Sequence, residues 1–210
     1  IYTWRSDDRM RTGKYHLRDF NFQLPAQNLL AQETSRFNVG GNQKLEHYDW
    51  QGKYSKRFDG IDPGGGEAPA KLMPVFSDRE RTVKIRQEEI DVGYKEIFGA
   101  GDICSITPGY RFQLIEHPSK GCNGEYVLLS SYHSLVQSPS YISGHDSQTT
   151  MRVNFTCIPH GGQSAPYRPP RVTTKPLVRG CQTAFVVGPQ SEEIFTDKYG
   201  RVKVQFHWDR

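Results

Sequence analysis

Seven histidines, four cysteines and two adjacent pairs of glutamates are the residues of this sequence best suited to chemistry, and their spacing limits what they can do. Cys104, Cys122, Cys157 and Cys181 stand 18, 35 and 24 positions apart, so none forms the close pairs that hold structural zinc. Four reduced thiols are expected, with disulfides left open should the protein be exported. No two histidines show a helical i, i+4 spacing or sit beside cysteines in a ligand pattern; His47, His133 and His207 fall in strand-like stretches, where a histidine packs half-buried or faces water. His207 and Asp209 share one side of such a stretch, but no Gly-x-Ser-x-Gly elbow supplies a nucleophile for them. Glu88-Glu89 and Glu192-Glu193 are sequence neighbours, expected on diverging helix faces and in a turn, and so read as solvated charges instead of a convergent acid–base pair. Gly99 and Gly101 give a partial Gly-x-Gly after a helix, which is no phosphate cradle. Neither a catalytic residue, nor a metal site, nor a cofactor site is expected.

The elements that would position these residues are mostly strands. In RVKVQFHW, residues 201–208, Val202, Val204, Phe206 and Trp208 fall on one face and Arg201, Lys203, Gln205 and His207 on the other. Only Asp209 and Arg210 follow, so no later strand can pair with it and the chain reads as cut inside a domain. Basic residues interleaved with aromatics, as in Lys198-Tyr199 and residues 203–208, could serve single-stranded nucleic acid on an oligonucleotide-binding barrel, but aromatics sharing one face describe a core equally well. Residues 2–24 read as two strands around Arg11-Thr12-Gly13, stopping at Pro25, and residues 44–50 as another that closes on Gly52. Asp62-Pro63-Gly64-Gly65-Gly66 can continue neither helix nor strand and is expected as a mobile loop. One helix is expected from the capping-box pair Ser77 and Glu80 to a stop at Gly99, with Val83, Ile90, Tyr94 and Ile97 on its apolar stripe, Gln87, Glu88 and Asp91 off it, and Gly93 in its middle. Residues 110–115 and 126–136 form a hairpin whose Asn123-Gly124 suits positive φ, residues 151–158 form a further strand, and the proline-rich run 159–176 marks a boundary.

Composition agrees with this plan. Twenty glycines and thirteen prolines favour turns and short strands over long helices. At 210 residues the chain buries enough surface to fold without disulfide staples. The net charge of +4 is spread without blocks, so nucleic-acid binding is only weakly suggested. No stretch has the apolar length of a signal peptide or membrane span. The fold class expected is mainly β with minor α content.

The segment TAFVVGPQSEEIFTDKYGRVKVQFHWDR, residues 183–210, resembles the junction motif of the VgrG proteins, the trimeric spikes of type VI secretion. WRSDDRMRTGKYHLRDFNF from Trp4, HYDWQGKY from His47, FGAGDICSITPGYRFQL, NGEYVLLSSYH from Asn123 and NFTCIPHGGQSAPYRPPRVTTKPLVRGCQTAFVVGP from Asn154 agree in the same order. The resemblance implies part of a β-barrel-like phage tail hub domain over residues 1–160, with one helix packed on the sheet. It implies a proline-rich linker over 161–182 and the first strands of a truncated OB-type spike barrel over 183–210. Asp197, Tyr199, Gly200, Arg201, Val202, Val204, Phe206, His207, Trp208 and Asp209 would then be structural residues of the family motif. The family implies a non-enzymatic component of a cell-puncturing spike, a homotrimer seated on a hexameric tube protein, tipped by a conical protein and carrying secreted effectors. Contact with a target membrane would fall to the needle, absent from these residues. Assembly would take place in the bacterial cytoplasm, without a signal peptide, before secretion outside or into a target cell. The alternatives are a barrel that binds nucleic acid or carbohydrate and, behind it, a cell-wall hydrolase.

Overall fold

Alternation of apolar and polar residues becomes strand wherever a second strand can take up the backbone hydrogen bonds. The computed structural model describes residues 1–60, 69–137, 150–189 and 195–209. The chain divides into two units, Ile1–Pro170 and Arg171–Arg210. The loop expected at residues 62–66 lies outside the described residues.

Among its described residues the first unit holds two sheets. One is antiparallel throughout, in the order β1 (Thr3–Asp8), β5 (Lys95–Gly101), β8 (Thr150–Pro159), β7 (Gly124–Val136) and β6 (Arg111–Leu114). Its inward positions, Ile97, Leu114, Tyr126, Leu128, Val153, Phe155 and Cys157, form one buried cluster. Trp4 closes over it, edge-on to Tyr126 with ring centroids 4.9 Å apart. The register of β7 against β8 shifts between Leu128 and Ser130, a bulge that restores alternation after one extra residue.

The other sheet is short: β3 (Leu30–Thr34) pairs antiparallel with β2 (Lys14–Arg18), which pairs parallel with β4 (Glu46–Trp50). Tyr15, Leu17, Leu29 and Ala31 point to the face covered by Val75 and Val83 of helix α1 (Pro74–Val92). Mainly-β architecture with one helix on a sheet is thus observed.

Several local expectations are corrected. Strands do lie on either side of Arg11-Thr12-Gly13, but β1 and β2 belong to different sheets. The second also ends earlier, at Arg18, leaving Phe20 and Phe22 exposed in a turn-rich stretch. The helix begins at Pro74, whose fixed φ suits the first turn, and Ser77 spends its hydroxyl on the Pro74 carbonyl instead of capping. It stops at Gly93, not Gly99, because Arg11 lies where a side chain at 93 would sit and donates to the Gly93 carbonyl at 3.1 Å. Gly99 and Ile97 therefore lie in β5. Asn123 is extended at φ −73°, and its side chain accepts the His117 amide at 2.9 Å; the left-handed residue of that loop is Glu116.

In the second unit, β9 (Ala184–Val187) and β10 (Lys203–Phe206) form an antiparallel ribbon, extended by a bridge between Thr196 and Val202. Regular strand thus covers only the middle of residues 201–208, and its partner precedes it in sequence.

Candidate functional site

The ten motif residues come together on the ribbon and its turn. Asp197 organises the turn: its carboxylate accepts the amides of Tyr199 at 2.9 Å and Arg201 at 2.8 Å and the Arg201 guanidinium at 2.5 Å. Desolvation pushes the Asp197 carboxyl up, but the Arg201 amide and guanidinium with the Tyr199 amide outweigh it and hold it below the ordinary carboxylate value. Gly200 takes the left-handed conformation, φ 74°, that lets its amide return to the Asp197 carbonyl. The Arg201 guanidinium covers the Tyr199 ring, 5.3 Å from its centroid.

Beyond the turn, cross-strand register decides which side chains share a face. Val204 lies opposite Val186 and Phe206 opposite Ala184, while Gln205 lies opposite Phe185. Phe206 and Trp208 stack with centroids 5.1 Å apart, and the Trp208 indole donates to Gln182 at 3.1 Å. His207 meets Thr183 Oγ1 at 3.2 Å and turns edge-on to Phe185. His207 and Asp209 thus have separate structural surroundings, with Asp209 closing a turn through its amide to the Phe206 carbonyl. Phe185 and Trp208 are each 66% exposed, and Val186, Val202 and Val204 are exposed as well. The ribbon is two strands wide and one layer thick, so it has no second layer of its own to cover these side chains.

A second constellation lies on α1 and corrects the reading of its polar residues as solvated. Glu88 is 5% exposed and Asp91 3%, and Gln87 is buried. Asp91 accepts from the Ser35 hydroxyl at 2.7 Å and from Gln87 Nε2 at 2.8 Å, and Gln87 Nε2 also reaches the Thr12 carbonyl. Glu88 pairs with Arg168 Nε at 2.7 Å and faces Arg36 at 3.8 Å. Glu89 pairs with Arg86 at 2.8 Å. The i, i+4 relation of Val83, Gln87 and Asp91 was the available signal, because it runs polar groups down the buried stripe. Glu192 and Glu193 lie outside the described residues.

These groups hold elements together. A cavity of about 360 Å³ has Asp91, Tyr94, Tyr126 and His160 on its wall, yet Asp91 is occupied by Ser35, Gln87 and the Arg36 amide. Among the described residues no cluster of three or more His, Cys, Asp or Glu side chains could hold a metal ion, and all four cysteines are free thiols. Burial pushes the Cys157 thiol up to about 12, removing its nucleophilic form. No helix among the described residues is long and apolar enough to cross a membrane.

Comparison with known proteins agrees with this arrangement. Residues 1–139 match the family model of the phage tail baseplate hub (GPD). The whole chain is 32% identical to the type VI secretion system spike protein VgrG1b of Pseudomonas aeruginosa, covering 25% of that protein. It is 31% identical to VgrG1c of the same organism over 100% of the chain and 26% of the relative. It is also 30% identical to the actin cross-linking toxin VgrG1 of Vibrio cholerae, over 94% of the chain and 16% of that protein. The chain therefore spans about a quarter of the length of the Pseudomonas relatives it matches.

Proposed function

Because the chain belongs to the phage tail baseplate hub family, among its VgrG members, we propose that it is a structural, non-enzymatic part of a type VI secretion spike. Residues 1–160 form the later part of the hub, residues 161–182 the connection, and residues 183–210 the opening strands of an OB-type barrel. The spike is a homotrimer on a hexameric tube protein, tipped by a conical protein, loaded with secreted effectors, assembled in the cytoplasm and then expelled.

The observation that carries this reading is similarity to spike proteins along the entire chain, ribbon included. The exposed apolar residues of that ribbon, Phe185, Val186, Val204 and Trp208, support it. Three copies of such a ribbon can cover one another's faces and edges, which a single copy leaves in water. Toxin activity belongs to the Vibrio relative by its name, and nothing in the described side chains favours it here.

The test is genetic and biochemical. In a strain stripped of its other spike genes, deletion of this gene should abolish release of the tube protein into the medium, and the wild-type gene should restore it. Undiminished release would contradict the proposal.

A further inference from the structure

Two sulfurs from distant parts of the chain meet at the end of the larger sheet. Residues 134–136 of β7 and 150–152 of β8 pair beyond the reach of β5 and β6, forming a two-stranded arm. The segment that leaves β5 crosses the root of this arm. Ile103 and Ile106 pack it onto the cluster that contains Val153 and Phe155. Between them Cys104 turns its thiol to Met151 on β8, with Sγ and Sδ 3.0 Å apart. Cys104 is exposed and Met151 half-buried, so solvent reaches both.

A histidine shares that face. His133 stands opposite Val153 and is therefore the diagonal neighbour of Met151 across β7 and β8. Such diagonal pairs are about 7–8 Å apart, within reach of long and aromatic side chains. His133 Nε2 lies 3.2 Å from the Ile106 carbonyl. A carbonyl can only accept, so Nε2 carries the proton and the lone pair of the neutral ring sits on Nδ1. That nitrogen has no partner among the described residues. One ring N–H fixed on a backbone carbonyl, with the other nitrogen open, is how a metal-ligating histidine is held in position.

We propose that Cys104, Met151 and His133 form a binding site for one cuprous ion, with thiolate, thioether and imidazole as its donors. The donor set selects the metal. Thiolate and thioether sulfurs are soft and favour Cu(I). Structural zinc takes four sulfur, nitrogen or carboxylate donors, whereas here the third donor is a methionine and no third His, Cys, Asp or Glu joins it among the described residues. Binding exchanges a proton for the metal: the S–H bond of Cys104 breaks, its proton passes to water, and Cu(I) enters between the two sulfurs without a change of oxidation state. Both sulfurs are on solvent-accessible side chains and can part to admit it. Cys181 is exposed as well but has no second sulfur beside it, which makes it the internal control. This inference is independent of the spike reading, and either can fail alone.

The test titrates the intact, reduced protein anaerobically into the coloured Cu(I) complex of bicinchoninate. One equivalent of copper per chain should be withdrawn. Cys104→Ser, Met151→Leu and His133→Gln should each weaken binding by about tenfold or more, since even outer-shell partners of a metal cost 10–100-fold; Cys181→Ser should leave it unchanged. None of the three variants alters a fully buried side chain, and their thermal unfolding midpoints should match wild type. Two measurements on the wild-type protein stand whether or not a variant folds. Copper K-edge absorption should show two sulfur and one nitrogen neighbours, and Cu(I) should protect Cys104 but not Cys181 from a maleimide, while Zn(II) protects neither. The proposal is overturned if no copper is withdrawn, if Met151→Leu and His133→Gln bind as wild type does, if Cys181→Ser abolishes binding, if copper has one sulfur neighbour, or if Zn(II) protects Cys104 equally.

Discussion

Gly99 lies directly opposite Phe155 across strands β5 and β8, and the Phe155 ring fills the space where a Cβ at position 99 would stand. The ring in turn meets Trp4 and Phe112, at centroid distances of 6.3 and 5.9 Å, so it has little freedom to move aside. Gly99→Ala is therefore expected to overpack the larger core and lower stability by about 1–3 kcal/mol. Phe155→Leu added to Gly99→Ala should recover part of that loss. Urea unfolding of the two variants checks both, and a Gly99→Ala protein as stable as wild type would show that the ring yields.

Glu88 fastens residues that lie far away in sequence. Its carboxylate takes the Arg168 guanidinium at 2.7 Å from a position that is itself buried. Glu88→Gln keeps the shape but removes the charge, and should cost about 1–3 kcal/mol, the scale of a charge-assisted hydrogen bond. Amide hydrogen exchange should rise in residues 161–170 and stay unchanged in β7 and β8. Unaltered exchange in 161–170 would mean that this pair does not hold the segment.

Stability should fall at high pH. Desolvation raises the Cys157 thiol from 9.0 to about 12 and the Tyr54 phenol from 10.0 to about 12. The folded protein keeps these protons where the unfolded chain releases them, so the contribution is complete below pH 9 and is lost as pH rises towards 12. Cys157→Ala should flatten the first part of that decline, as read from unfolding midpoints between those values. In the native state Cys104 and Cys181, both exposed, should react with a maleimide while Cys157 does not.

Asp197 should control the turn at the low end of the pH scale. Its carboxyl is held below the ordinary 3.8, so its contribution is present above that value and lost as pH falls through the depressed value. Asp197→Asn should reduce hydrogen-exchange protection of the Tyr199 and Arg201 amides, which donate to it, at neutral pH. Equal protection in the two proteins would assign the turn to Gly200 alone.

How much of this was legible in the sequence depended on the range of the forces involved. Period-two alternation located β10, because a side chain's face follows from its immediate neighbours, and flanking turn- and proline-rich stretches located β7 and β8. The helix was legible in existence but not in extent, since Gly93 stops it through Arg11, 82 residues away. Glu88 appeared to be a solvated charge for the same reason: its partner Arg168 lies 80 positions along the chain. The left-handed backbone at Gln51 and Lys53 left no mark, because neither residue type announces a left-handed turn. The motif residues of 197–209 were named by resemblance, while the role of Asp197 as acceptor for the whole turn needed coordinates.

The central claim is that this chain is part of a threefold spike, and sedimentation velocity of the intact protein at micromolar concentration tests it most directly. A single species of three times the mass of one complete polypeptide is expected, converted towards monomer when Phe185 and Trp208 are both replaced by serine. A wild-type protein that sediments as a monomer across that concentration range would contradict it.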